Sequence, residues 1–280
     1  MNHLFMLMND FPYMVEITAV VFGLLFGSFA NVVVYRLPIM MKARFEENIR
    51  DANGLNPKGQ DVFNLAFPPS SCPHCNHLIR WYENIPVISW FWLGGKCSNC
   101  GEKISKRYPL VEALCAALVF VTAIKFGFGY EYLLVSFAAL CGVAIALIDW
   151  DEQIIHPDLC NLLMWVGLLG SVFRDSIEPE QAIFGAVLGY GLLWVIQVGY
   201  LYIAKKDALG SGDLSLMGAI GAWVGPHQVG TVLSLAFFYV IAARYIKKAD
   251  VVPYGPGLLM GMWVILVFGN HIPAWAKLTF

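Results

Sequence analysis

The feature that most limits this chain is its series of apolar runs. They extend over Met14–Val34, Leu110–Phe126, Tyr132–Ile148, Leu159–Phe173, Ala182–Ala204, Leu214–Val224, Val229–Ile246 and Gly257–Phe268. A hydrocarbon core takes roughly 17–25 apolar residues per helical span. Inside it, only helices or closed barrels satisfy every backbone group. The runs therefore predict an all-α polytopic membrane protein with about eight transmembrane helices. Leu214–Val224 is the least secure of them: it either crosses or forms a half-helix buried among its neighbours. Composition agrees, since 14% of residues are charged and 58% are hydrophobic, against about 25% charged in soluble domains. The net charge of -2 gives no reason to expect nucleic acid as a partner.

Charge is concentrated between the first two runs. Ten of the eighteen Lys and Arg residues lie from Arg36 to Arg107, which divides the chain into three parts. Residues 1–37 carry the N-terminal segment and first helix, 38–109 a polar insert, and 110–280 a multi-helix membrane body. The first apolar run is longer than a signal peptide core, so a retained helix is expected. Positive charge gathers on the cytoplasmic side of membrane proteins. With eight spans and an outside N-terminus, fifteen of the eighteen basic residues fall inside, leaving Lys125, Arg174 and Lys277 outside. Without a crossing at Leu214–Val224 the split becomes thirteen to five, because Arg244, Lys247 and Lys248 change sides. The eight-span topology puts the insert, Asp149–Asp158 and Lys205–Asp213 on one cytoplasmic face. The arm Lys42–Asn64, with its Asn53-Gly54 and Asn56-Pro57 pairs, is expected to be a solvated loop.

Four cysteines form two pairs in the insert, Cys72-Pro-His-Cys75 and Cys97-Ser-Asn-Cys100. Two C-x-x-C turns supply the four thiolates of a tetrahedral zinc site, with no open position for catalysis. The alternatives are two disulfides or a redox motif, and a reducing cytoplasmic face disfavours stable disulfides. Cys72, Cys75, Cys97 and Cys100 are thus the expected ligands of a structural zinc. Cys115, Cys141 and Cys160 lie in apolar runs and are expected to be buried packing residues. Trp81, Trp90 and Trp92 are either interface anchors or insert core.

Carboxylates at the edge of hydrocarbon call for an explanation. Asp149 closes one apolar run, and Asp213 ends Gly210-Ser211-Gly212-Asp213 and opens another. Alone, Asp213 is an ordinary helix N-cap and Asp149 a solvated helix terminus. Together, two aspartates on one face can form a dyad, one ionised member activating water while the protonated one polarises a carbonyl. Gly210 and Gly212 permit positive φ and close backbone approach beside Asp213.

With these residues in view, the chain resembles the type IV prepilin peptidases, the leader peptidase/N-methyltransferases, over nearly its whole length. The resemblance rests on Gly27-Ser28-Phe29-Ala30-Asn31 through Arg36-Leu37-Pro38, the double C-x-x-C insert with Glu83-Asn84-Ile85-Pro86 between the pairs, and Arg107-Tyr108-Pro109-Leu110-Val111-Glu112 after them. The aspartate segments and Gly221-Ala222-Trp223 complete the order. It implies a membrane aspartic peptidase of the G-x-G-D kind, with Asp149 and Asp213 catalytic. Its substrates would be type IV prepilins and type II secretion pseudopilins, cut after glycine and before phenylalanine at the cytoplasmic face of the bacterial inner membrane. It further implies N-methylation of the new terminus from S-adenosylmethionine, with the zinc insert linked to that activity. The donor-binding residues are not indicated. Asp149 through Asp158 spans ten residues where the family commonly has nine, which brings Asp151 into question beside Asp149. Ser215 stands where the family often has lysine. A competing reading is a non-enzymatic transporter or assembly factor with a zinc-ribbon docking domain, which would place ionisable groups mid-span or show inverted repeats.

Overall fold

The computed structural model describes residues 13–56, 62–205, 210–247 and 252–269. Pro57, Lys248 and Lys277, used in the sequence reading above, lie outside them. Each of the eight apolar runs is helical: α1 Met14–Ala52, α2 Arg107–Phe126, α3 Tyr130–Glu152, α4 Pro157–Gly170, α5 Pro179–Ala204, α6 Ser211–Val224, α7 Val229–Lys247 and α8 Gly255–Phe268. Among the described residues there is no strand, only two isolated bridges in the insert. Five helices are long and apolar enough to cross a membrane, namely α1, α2, α3, α5 and α7. At 1.5 Å per residue, α4, α6 and α8, of 14 residues each, reach only about 21 Å, against a core of about 30 Å. The expected count of eight crossings is therefore not established by helix length, although all eight helices are present.

The arm is a correction. Residues 42–52 continue α1 and do not form a loop. Lys42-Ala43-Arg44-Phe45-Glu46-Glu47 is a run of mostly good helix formers, and polar composition alone had suggested solvated coil. The helix stops where Gly54 takes φ +67°, and Arg50 Nη2 donates to the Asn56 carbonyl at 2.9 Å.

The chain divides into two compact units, Ile17–Phe120 and the remainder. In the first, α1 and α2 approach closely through Gly23 and Gly27, spaced as in small-residue membrane contacts. A Cβ on Gly27 would lie 2.7 Å from Glu112 Cα. Arg36 is buried in α1 and spends its guanidinium on the carbonyls of Asn64 at 2.9 Å and Pro68 at 2.6 Å, which satisfies a cation that would otherwise be costly in that setting.

The second unit is built around α6. Leu216, Met217, Ile220 and Trp223 are fully buried there, which explains how so short an apolar helix remains stable. Gly185 of α5 and Gly221 of α6 meet backbone to backbone, so that a side chain on either would strike the other's carbonyl. Trp223 Nε1 donates to the Leu163 carbonyl of α4 at 2.8 Å. One end of this unit is closed by Arg174. It donates to Glu131 Oε2 at 3.1 Å, to the Trp223 carbonyl at 3.2 Å and to Ser176 Oγ at 2.9 Å, and its guanidinium lies 5.1 Å from the Trp223 ring centroid. Glu131 opens α3 and Trp223 sits near the close of α6, so these two helices run in opposite directions. The last turn of α3 and the first turn of α6 consequently share the other end.

Candidate active site and metal centre

That other end holds Asp149 and Asp213. Asp149 lies in the last turn of α3, which closes on Gln153 in the left-handed conformation. Its side chain is buried, and Oδ2 accepts the backbone N–H of Gly255 at 3.0 Å. Gly255 begins α8, so the carboxylate sits at a helix N-terminus, where unpaired N–H groups favour an anion. Asp213 is half-buried in the first turn of α6, with its own N–H donated to the Gly210 carbonyl at 3.1 Å. The two carboxylates lie within electrostatic reach of one another, and both act on the buried thiol of Cys160. Asp151, by contrast, is exposed, and so is Asp158, whose side chain retains 73% of its accessibility.

The glycines beside Asp213 work differently from the expectation. Gly210 has φ -69° and Gly212 lies within α6, so neither uses positive φ. Gly212 is demanded instead by packing, because a Cβ there would stand 2.7 Å from Ile155 Cβ. Ile155 belongs to the α3–α4 connection, so Gly212 seats the Asp213 turn directly against the segment that follows Asp149.

Sequence reasoning missed Gly255 and its neighbours. Tyr254 feels the charge of Asp213, and Tyr239 that of Asp149. The available signal was Tyr254-Gly255-Pro256-Gly257: proline in a helix's first turn marks a start, and a helix start is a place for an anion.

In the first unit, Cys72, Cys75, Cys97 and Cys100 have all sulfurs within 4.8 Å of one another. Cys72 and Cys100 are 3.8 Å apart, Cys75 and Cys97 4.0 Å, and all four are free thiols. Sulfurs about 2.3 Å from a central metal would be about 3.8 Å apart in a tetrahedron, so this group could hold a metal ion. The two turns repeat at an offset of 25 residues. Cys72 N–H donates to the His77 carbonyl and Cys97 N–H to that of Glu102, while Asn76 and Gly101 donate back to Cys72 and Cys97. Asn76 and Gly101 take φ of 56° and 75°, the left-handed step that glycine and asparagine supply at least cost. The donors also act on the thiols. The Asn99 amide, then the His77 backbone, lowers Cys75 to about 6, and backbone N–H groups of Cys100 and Asn99 lower Cys97. For Cys100 the Glu102 backbone pulls down, yet burial and the neighbouring thiols carry it up to about 12. Glu83 ties the turns together: it accepts from the Arg80 N–H at 2.8 Å and lies 3.5 Å from His77 Nε2, and its hydrogen bond with Ser98 is the largest influence holding it below the usual carboxylate range.

Residues 21–126 match the family of the bacterial peptidase A24 N-terminal domain, and residues 132–246 the type IV leader peptidase family. The chain is 39% identical to a prepilin leader peptidase/N-methyltransferase of Stutzerimonas stutzeri, over 94% of each chain. Proteins of the same description from Aeromonas hydrophila and Pseudomonas aeruginosa are 35% and 38% identical, over 98% and 93% of each chain. No solved structure matches.

Proposed function

The chain belongs to the type IV leader peptidase family, and from that premise we propose that Asp149 and Asp213 are its catalytic pair. It is a multi-pass membrane enzyme with leader peptidase and N-methyltransferase activity, acting on type IV prepilins. The transporter reading is not favoured by this membership. The observation that supports the pair most is that Asp149, buried, and Asp213, half-buried, share one end of α3 and α6 within each other's field, while Asp151 is exposed. Two such carboxylates share one proton. The ionised member takes a proton from water as it attacks the scissile carbonyl, and the protonated member hydrogen-bonds the carbonyl oxygen. The Gly255 N–H fixes which oxygen of Asp149 is free to act. We place this end on the cytoplasmic side of the bacterial inner membrane, because that orientation gathers the basic residues inside, and we take pseudopilins as further substrates on the family resemblance alone.

The four-cysteine group in 38–109 is assigned to a structural zinc. Its sulfurs fit a tetrahedron, and with four thiolate ligands the ion would order the insert and supply no open position. N-methylation calls for S-adenosylmethionine, whose sulfonium supplies an electrophilic methyl group. The freed α-amine, with a usual pKa near 7.7–8.0, needs positioning more than activation. The cavity of about 400 Å³ beside the cysteine turns does not fit this donor well, since its single carboxylate, Glu83, is already engaged by Arg80, His77 and Ser98.

The test is the N-terminal mass of a prepilin co-expressed with wild type, Asp149→Ala or Asp213→Ala. Both variants should accumulate in the membrane and leave the prepilin uncut. Normal processing by either one removes that residue from the pair, and loss of processing in Asp151→Ala would transfer the role.

A further inference from the structure

The insert carries a set of aromatic side chains outside the aspartate and cysteine sites described above. Trp90 is half-buried, its indole N–H donates to the Ile104 carbonyl at 3.2 Å, and Gly95 packs against its ring. It is insert core. Trp81 and Trp92 are 82% and 83% exposed, and with them Phe91 is 70% and Ile88 57% exposed. Three of the five residues in the short helix Ile88–Trp92 thus present apolar surface outward. Patches of this kind on a protein mark an interaction surface.

The depth of this short helix, against which the one-turn helix Trp81–Asn84 packs, indicates what covers them. The Val87 N–H, at the start of the short helix, donates to Glu112 Oε2 at 2.7 Å. Glu112 lies five residues into α2, about 7.5 Å along its axis, beyond Leu110 where the apolar run begins. The short helix therefore starts level with the edge of the hydrocarbon. On α2 itself Leu110 and Leu114 are exposed at the same level. Indole and phenol rings prefer this headgroup zone. Arg80 lines one cavity with Tyr82 and Trp92, and its guanidinium lies 5.9 Å from the Tyr82 ring. A cation beside aromatic faces suits a phosphate above an apolar layer.

We propose that Trp81, Phe91 and Trp92 anchor the insert in the phospholipid headgroup region, with Arg80 on the lipid phosphate. The occupant is lipid, and the proposal rests on reading α1 and α2 as membrane helices. The full chain, carrying 5-fluorotryptophan and reconstituted in nanodiscs, provides the test by fluorine NMR, with lines assigned through Trp81→Phe, Trp90→Phe and Trp92→Phe. Lipid spin-labelled at acyl carbon 5 should broaden the Trp81 and Trp92 lines at least twofold and leave Trp90 sharp. A water-soluble gadolinium chelate should spare Trp81 and Trp92. Broadening by the chelate in place of the lipid label overturns the proposal, and so does protection from both reagents, which would mean a protein cover. Trp165 and Trp194, half-exposed on α4 and α5, report on the premise: if the lipid label leaves them sharp, the membrane reading itself fails.

Discussion

Asp149 and Gly255 are separated by 106 positions in sequence, and the backbone N–H of one meets the carboxylate of the other at 3.0 Å. A Cβ on residue 255 would press into Asp149 Oδ2, so a larger residue and the carboxylate cannot both keep these positions. Gly255→Ala should therefore displace the carboxylate without removing it. A shift near 1 Å at a reacting group costs on the order of 10²-fold in rate. Prepilin cleavage by purified Gly255→Ala should fall by about that factor, while methylation of a pilin already cut should be retained. Equal loss of both activities would point to a folding defect.

The metal group gives a second prediction with a defined pH dependence. Metal binds thiolates, so affinity rises with pH as protons leave. Cys75, lowered to about 6, is already a thiolate at neutral pH and need not surrender a proton. Below about pH 6 it must, so the fall of zinc affinity with decreasing pH should steepen there by about one proton per site. Competition titrations with a chelator across pH 5–8 measure this slope. Cys72→Ser should lower bound zinc well below one per chain, and an unchanged metal content would rule out a four-cysteine site.

Much of this arrangement was legible in the sequence, in specific places. Each apolar run became a helix because lipid leaves the backbone no other partner, and the two C-x-x-C turns carried their geometry locally. The shared end of Asp149 and Asp213 followed from counting charges in loops. What was not legible depended on distant backbone. Gly255 serves Asp149 through an N–H, which every residue but proline possesses, so Pro256 could announce a helix start there but not the carboxylate, 106 positions away, that it receives. Arg174 looked like a loop cation outside the membrane, and its burial depends on Glu131, 43 positions away. The helical arm after Met41 was hidden by its polarity, since a helix continued out of the membrane and a loop can share the same composition.

Arg174 leads to a stability prediction. Its side chain and that of Glu131 retain 2% and 17% accessibility. Removing one member of a buried pair leaves an uncompensated charge and costs about 3–5 kcal/mol. Arg174→Met and Glu131→Leu should each lower thermal stability in detergent by several degrees. The double variant should recover part of that loss, since burying neither charge is cheaper than burying one. Because the pair lies at the opposite end from the aspartates, the variants should still cleave prepilin at temperatures where they remain folded.

The contact of α5 with α6 separates two glycines that look alike in sequence. Gly185 meets the Gly221 carbonyl, whereas nothing lies within 4 Å of a Cβ placed on Gly191. Gly191→Leu should be tolerated, since it adds apolar surface to an open face of a membrane helix and removes a poor helix former. Gly185→Leu must push α5 away from the buried face of α6, against packing that yields little. Overpacking of this kind costs about 1–3 kcal/mol and more where backbone is the obstacle. The variant should lose yield and thermal stability, and it should also lose peptidase activity, because α6 carries Asp213. A Gly185→Leu protein as stable and active as Gly191→Leu would mean that α5 and α6 do not meet at these residues.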